Sequence, residues 1–429
     1  MTEQTDVVII GSGPYGLSLA AHLRARRVSF RIFGPALKFW REMPDGVNLK
    51  SLGFATNIFV PEKGHTYPEW CRERGLEDFE PCTMRTFAEY ARGMQLRFVP
   101  ELEEVLVTNV KKAGDRFDVT LATGRQVSAR SVVVCTGLTH LANRPDVLTG
   151  LPPTLARHSS EISDYSQFRG KTVAVIGGGS SAIEAGALVR EAGGTAEVFV
   201  RGKEAEFNGR SLRKRPILQR FREPLTVLGS GRRHYVLQHF PLLVHFLPKH
   251  RRIEIDATYL GASSPWWIKD RVVGKVPIHV LSEVVSAETS GDRLRVRVRG
   301  EDQSMREMEF DHLIAGTGYK FEVARLAFLD QGLRRIIGCT KGAPSLDVNF
   351  QSSVKGLYFI GPLSAMSFGP LFRFVAGAKF TVRSLSRHLA WRFARPKTAP
   401  AIPAGVSPAM RADSGAGDRS FDGGGRTVS

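Results

Sequence analysis

Cysteine is scarce. Cys71, Cys82, Cys135 and Cys339 are the four in 429 residues, and their scatter offers neither a CxxC pair nor a disulfide framework. That argues against a zinc site, gives no reason to expect a metal centre and points to a reducing, cytoplasmic location. Long apolar runs are missing too. The most apolar mid-chain stretch, Tyr235 to Leu247, is short and carries Gln238, His239 and His245, whereas a bilayer span needs about 20 apolar residues. No transmembrane segment is expected, and the polar start, Met1 to Asp6, suggests no leader peptide. Neither a Ser-His-Asp arrangement nor a paired-carboxylate constellation is evident. Acidic residues are the minority charge, leaving a net +18. Much of that is local: between Arg201 and Arg252 there are 13 Lys and Arg against 3 Glu, a surplus of +10. No zinc-finger, RRM or helix-turn-helix pattern accompanies it, so nucleic acid is not an expected partner. An apolar fraction of 42% is enough for real cores, and the length suggests two or three domains.

What is present is a repeated turn. Asp6-Val-Val-Ile-Ile10 is the near-continuous apolar run of a strand buried on both faces. It leads into Gly11-Ser-Gly13-Pro-Tyr-Gly16, a helical stretch, and the strand Val28 to Phe33. The order returns with Lys171 to Ile176, Gly177-Gly-Gly179-Ser180-Ser-Ala182, a helix closed by Gly193-Gly194, and the strand Ala196 to Val200. In such βαβ units the first glycine permits a tight turn and the second leaves backbone bare for a pyrophosphate. The third, here Gly16 or its replacement Ala182, lets helix pack on strand. The anion then meets unpaired N–H groups and the positive end of a helix dipole, and Pro14 forgoes an N–H that would be unpaired anyway. Two further apolar strands end alike, at Thr136-Gly137 and at Thr317-Gly318-Tyr319, and Leu357 to Gly361 is another short buried strand ending in glycine. At the first site the ribose-binding acid expected about 20 residues on is replaced by Phe33-Gly34-Pro35. At the second, Arg201-Gly-Lys203 is basic, which suits a 2′-phosphate and favours NADPH over NADH. A solvated basic loop is the other reading.

The order of these pieces resembles the class B flavin-dependent monooxygenases, which include flavin-containing, N-hydroxylating and Baeyer–Villiger enzymes. The resemblance rests on the Gly11, Gly13, Gly16 turn and on His158-Ser159 with Tyr165-Ser-Gln-Phe168-Arg-Gly170-Lys171 leading into the second turn. It rests also on Ala315-Gly-Thr317-Gly318-Tyr319, which looks like the family's Ala-Thr-Gly-Tyr with a residue inserted, and on Leu357-Tyr-Phe-Ile-Gly361. It covers about residues 6–390 and departs from the pattern at Pro152, Thr154 and Pro362.

The resemblance implies an α/β chain of two Rossmann-like domains. A discontinuous FAD domain (1–165 and 306–396) would surround an inserted NAD(P)H domain (166–305), with a basic insertion near 201–252 and a disordered tail over 397–429. It implies FAD and NADPH as cofactors, and one oxygen atom transferred from O2 to a small heteroatom-bearing or ketone substrate through a C4a-(hydro)peroxyflavin. Asn57 is similar to an asparagine near the flavin in flavin-containing monooxygenases; a turn residue is the alternative. Trp40 and Lys50 lie in the segment that usually covers the flavin ring, although Trp40 could equally be core. Gly361 closes the strand that returns to the flavin. His158 is expected to fix the domain linker. The cysteines do not resemble a disulfide reductase's reactive pair. A flavin reductase or oxidase without oxygen insertion, or a non-catalytic redox sensor, stays open. The basic stretch could wall a substrate pocket with Trp266 and Trp267, make weak contact with an anionic membrane surface, or be plain solvated surface. No oligomeric state follows.

Overall fold

A strand such as Val7-Val-Ile-Ile10 is stable only where both its faces are covered, and in the computed structural model Val7, Val8 and Ile9 are fully buried. The structure describes residues 3–78, 81–210, 216–259 and 263–394, apart from the side chains of residues 219 and 220. The tail expected to be disordered, 397–429, lies outside them. Strand β1 (Glu3–Ile10) leads through helix α1 (Pro14–Ala25) to β2 (Phe30–Phe33). Helices α2 (Tyr67–Glu73) and α3 (Met84–Phe98) precede β3 (Val107–Ala113), β4 (Arg116–Leu121) and β5 (Gln126–Val134). These strands form a sheet in the order β2-β1-β5-β4-β3, with β1 parallel to both β2 and β5.

A second sheet starts at β6 (Ala156–His158) and continues with β7 (Thr172–Ile176), helix α4 (Ser180–Glu191), β8 (Thr195–Phe199) and the short β9 (Ile278–His279). Strands β10 (Glu283–Ser290), β11 (Arg293–Arg299) and β12 (Met305–Phe310) form an antiparallel sheet. In β11, Leu294, Val296 and Val298 face the core while Arg295 and Arg297 face water, the period-2 pattern of a half-covered strand. Strand β13 (His312–Ala315) then enters the second sheet, whose order is β9-β8-β7-β13-β6 with all pairs parallel. Finally β14 (Leu357–Phe359) returns to pair with the second half of β5, and helix α8 (Ala378–Arg392) packs on α1.

Two strands cross the boundaries expected from sequence. β6, placed within 1–165, and β13, placed within 306–396, both pair in the second sheet, because β7 leaves one edge open and β13 fills it. The basic stretch differs as well. Its helices α5 (Arg232–His239), α6 (Pro241–His245) and α7 (Lys249–Thr258) insert Leu237 and Val244 into the core of the first domain. Arg373 ties α7 to the returning segment by pairing with Asp256.

Candidate functional site

Each Gly-rich turn sits at the carboxyl end of its strand and opens a helix. Gly13 is the N-cap of α1 and Gly179 that of α4, and neither helix has a side-chain cap. Both first turns therefore present free N–H groups to whatever lies beyond. Gly11 and Gly177 have φ of +115° and +131°, accessible to glycine without strain. A Cβ on Gly13 would meet nothing closer than the Trp40 indole nitrogen at 4.0 Å, so space for a phosphate is open there.

The third positions explain two sequence departures together. A Cβ on Gly16 would lie 2.0 Å from the Gly11 carbonyl oxygen and 3.0 Å from Cys135 Sγ, so the gap between helix and neighbouring strand end is already filled from the strand side. At the second site the arrangement is reversed. Ala182 supplies the methyl, and its backbone and Cβ lie 2.5–2.6 Å from where a Cβ on Gly316 would be. The residue that seemed inserted in Ala315-Gly-Thr317-Gly318 is thus the counterpart of Cys135 in Cys135-Thr136-Gly137, with its side chain traded to the helix.

Two cavities open from these turns. The smaller, about 610 Å³, is lined by Gly11, Gly13, Trp40, Lys50, Thr136 and Gly361 among others. Among the described residues Glu184 is its sole carboxylate, against Lys38, Lys50 and Arg373. The position after β2 carries no acid, as the sequence reads. The Thr136 hydroxyl is buried without a hydrogen-bond partner among the described residues, a polar group available to a ligand. Gly361, at φ +75°, seats the returning segment over the Tyr15 ring, and the Tyr15 hydroxyl donates to the Phe374 carbonyl at 2.8 Å. The larger cavity, about 1670 Å³, is lined by Gly177, Gly179, Ser180, Arg201, Thr317, Gly318 and Tyr319, and on another wall by Leu228, His234 and Tyr259. Tyr259 Oη and Trp267 Nε1 are buried there without hydrogen-bond partners among the described residues. Lys50, Ser51, Ser181, Tyr319 and Phe374 line both cavities, so the two meet.

At that junction Lys50 pairs with Glu184 of α4, a residue sequence reading missed. Glu184 is buried and also lies 3.7 Å from Arg271. Burial lowers the Lys50 pKa, while the Glu184 charge holds it up. His158 accepts from the Ser160 N–H at Nδ1 and directs Nε2 to the Gly318 carbonyl at 3.1 Å, so Nε2 carries the proton. Burial lowers its pKa, keeping the ring neutral. It fixes the Thr317-Gly318 turn, as does Asn143, which donates from its backbone to Gly318 O at 2.8 Å. The Thr317 hydroxyl is already engaged by the Asn143 carbonyl.

Four expected site residues stand elsewhere, the first being Gly16, which packs beneath its turn and lines neither cavity. Asn57 lines neither cavity. Its Oδ1 accepts from the Tyr67 N–H at the start of α2 and its Nδ2 donates to the Phe54 carbonyl, both at 2.8 Å, so its amide is consumed in joining two turns. Lys203 is exposed and outside the cavity lining. Ala182 is buried beneath its turn and packs there rather than facing the cavity. Trp40 both lines the smaller cavity and packs edge-on to Phe87 at 4.9 Å. Among the cysteines only Cys135 lines a cavity, with its thiol directed to the Ile10 and Gly11 carbonyls and its pKa raised by burial. Among the described residues no cluster of His, Cys, Asp and Glu could hold a metal, and no helix is long and apolar enough to cross a membrane.

Residues 8–226 match the family model described as pyridine nucleotide-disulphide oxidoreductase. Ferredoxin–NADP reductase of Thermus thermophilus is 24% identical over 188 residues, 42% of this chain and 49% of that protein. Indole-3-pyruvate monooxygenase of Oryza sativa subsp. japonica is 32% identical over 186 residues, 41% and 43% respectively. The chain spans about half the length of these curated relatives. The structure of an ornithine N-hydroxylase from Kutzneria sp. 744, with reduced FAD, NADP+ and L-ornithine, shares the fold. Its TM-score is 0.72 at 18% identity, over 91% of this chain and 99% of that one.

Proposed function

This chain belongs to the pyridine nucleotide-disulphide oxidoreductase family, and we propose that it is an FAD-dependent, NADPH-consuming monooxygenase that places an oxygen atom from O2 on a small molecule. The observation that carries this reading is the meeting of two cavities, each fed by an uncapped helix N-terminus at a Gly-rich turn, on the shared residues Lys50, Ser51, Ser181, Tyr319 and Phe374.

The residues fit the two cofactors. FAD would lie in the smaller cavity with its pyrophosphate against the N–H groups of Gly13 and α1, where Lys38, Lys50 and Arg373 leave the lining net positive. Thr136 would donate its unpaired hydroxyl there. NADPH would lie against Gly177, Gly179 and Ser180, with Arg201 at the lining of the larger cavity to read the 2′-phosphate. When bound together the cofactors supply hydride transfer to the flavin and activation of dioxygen. The chain's own work is placement. The Lys50–Glu184 pair fastens the segment after β2 to α4, Tyr15 holds the returning segment down, and Tyr319 and Phe374 border the junction of the two cavities with their rings.

Two observations favour oxygenation over disulfide reduction. Cys71 and Cys82 are buried around Tyr67 outside both cavities, and burial pushes the Cys82 thiol up to about 12. A substrate would lie against the wall that Leu228, His234, Tyr259 and Trp267 add to the larger cavity, and the fold is similar to that of the Kutzneria ornithine N-hydroxylase. Three buried free thiols suit a reducing, cytoplasmic setting.

The test is turnover of the purified protein with NADPH and isotopically labelled dioxygen against amines (ornithine among them), thioethers and ketones. Label in the product, in proportion to NADPH consumed, is expected for one of these classes. Hydrogen peroxide equal to NADPH with every class would instead identify an oxidase or reductase.

A further inference from the structure

Of the 21 exposed large hydrophobic side chains in the described structure, ten fall between Ile217 and Leu247. On α5 and α6 the inward residues are few, Leu237, Pro241 and Val244, while Tyr235, Val236, Phe240, Leu243 and Phe246 face outward, with Phe246 71% exposed and Leu243 57%. A solvated helix pair would carry charge at those positions, and an apolar surface of this extent marks an interaction site. Its charge is predominantly positive, because the two acids of α7, Glu254 and Asp256, are paired with Arg251 and Arg373. Pro224 to Ile253 contains no Asp or Glu, five Arg or Lys and four His. Arg232, Arg233 and Lys249 are exposed at the ends of the same helices. Aromatic and leucine side chains bordered by cations match a layer that is apolar in depth and anionic at its face.

We infer that α5 to α7 form a docking surface for an anionic lipid bilayer, with Phe240, Leu243 and Phe246 inserted below the headgroups and Arg232, Arg233 and Lys249 at the phosphates. A protein partner would have to present an apolar face together with uncompensated acid, whereas an anionic leaflet supplies both. The contact is peripheral, since no described helix can span a membrane. Because His234 of α5 lines the larger cavity, the docked face lies on the same helix as the cavity wall, which brings lipid-dissolved molecules near the opening.

The experiment is co-sedimentation of the full-length flavin-loaded protein with vesicles of phosphatidylcholine alone and of equimolar phosphatidylcholine and phosphatidylglycerol, with sedimentation velocity of the protein by itself. The protein should pellet with the anionic vesicles, remain in solution with phosphatidylcholine, and be released by salt. The combined variant Phe240→Ser, Leu243→Ser, Phe246→Ser should lower partitioning at least about tenfold. Arg232→Gln, Arg233→Gln, Lys249→Gln should lower it by roughly fivefold per charge. All six positions are exposed on the surface, so flavin content and melting temperature should stay at wild-type values and report a folded protein. No binding to anionic vesicles, equal binding to both compositions, or undiminished binding by the serine variant overturns the inference. So does a dimer lost in the serine variant without vesicle binding, which would make the surface a contact between two copies. None of these readouts needs catalysis, so the outcome is independent of the proposed reaction.

Discussion

Adding a methyl group at Gly16 probes the packing that sets the first phosphate cradle. The new Cβ would lie 2.0 Å from the Gly11 carbonyl oxygen, whereas an unstrained carbon–oxygen contact is about 3.3 Å or more. The N-terminus of α1 would have to retreat by about 1.3 Å. The obstructing atom is backbone, and behind it Cys135 Sγ closes the remaining gap at 3.0 Å, so no side-chain rotation relieves the strain. Overpacking costs about 1–3 kcal/mol in well-packed interiors, and a backbone clash belongs in the upper half. Gly16→Ala should therefore lose about 2–3 kcal/mol, a fall of roughly 5–10 °C in melting temperature, and should be purified with a reduced ratio of FAD to protein. Ala182→Gly is the matched control, because Gly316 already gives that position room for a methyl. It should cost about 1 kcal/mol, from helix flexibility and lost packing, and leave flavin content unchanged. Differential scanning fluorimetry and flavin release by acid would decide. An unchanged melting temperature with full flavin in Gly16→Ala would refute the reasoning.

Four other outcomes follow from the structure. Glu184→Gln leaves the Lys50 ammonium beside Arg271 without its counter-charge and should cost about 2 kcal/mol, seen as a lower urea midpoint together with weaker FAD retention. Asn57→Ala should cost about 1–2 kcal/mol by freeing the Tyr67 N–H and the Phe54 carbonyl, while kcat per bound flavin stays at wild type; a catalytic role would instead lower kcat. Arg201→Ala should raise the KM for NADPH about tenfold and leave that for NADH unchanged. Burial holds the His312 imidazole at about 4, below its ordinary 6.5, with Nδ1 donating to the Thr154 carbonyl. As pH falls the unfolded chain takes up that proton first, so this contribution is complete above 6.5 and is lost toward pH 4, about 3 kcal/mol in all. The urea midpoint should fall between about pH 7 and pH 5, and His312→Gln should flatten the slope; equal slopes would contradict the assignment.

The parts of this site that were legible in the sequence are those governed by neighbours in the chain. Gly11, Gly13 and Gly179 follow from what a strand-to-helix turn around an anion requires, and Arg201 from its place just beyond β8. What could not be read depends on distant partners. Glu184 meets Lys50 across 134 positions, and Tyr15 reaches Phe374 across 359. No local pattern announces either. β13 has the apolar composition of any buried strand, so only the open edge of β7 tells which sheet receives it. One signal was available. Cys135-Thr136-Gly137 and Gly316-Thr317-Gly318 are matched endings, and their match implies that each faces its own Gly-rich turn. Asn57 is not decided by sequence, because an asparagine's role depends on what its amide reaches, and here it reaches backbone.

The central claim is that the two cavities hold FAD and NADPH close enough to exchange a hydride. Anaerobic mixing of the purified yellow protein with NADPH, followed by absorbance, tests it most directly. The account predicts near-stoichiometric FAD that is bleached by NADPH within the dead time or seconds, and much more slowly by NADH. A colourless protein that takes up no FAD, or bound FAD that stays oxidised in excess NADPH, would contradict it.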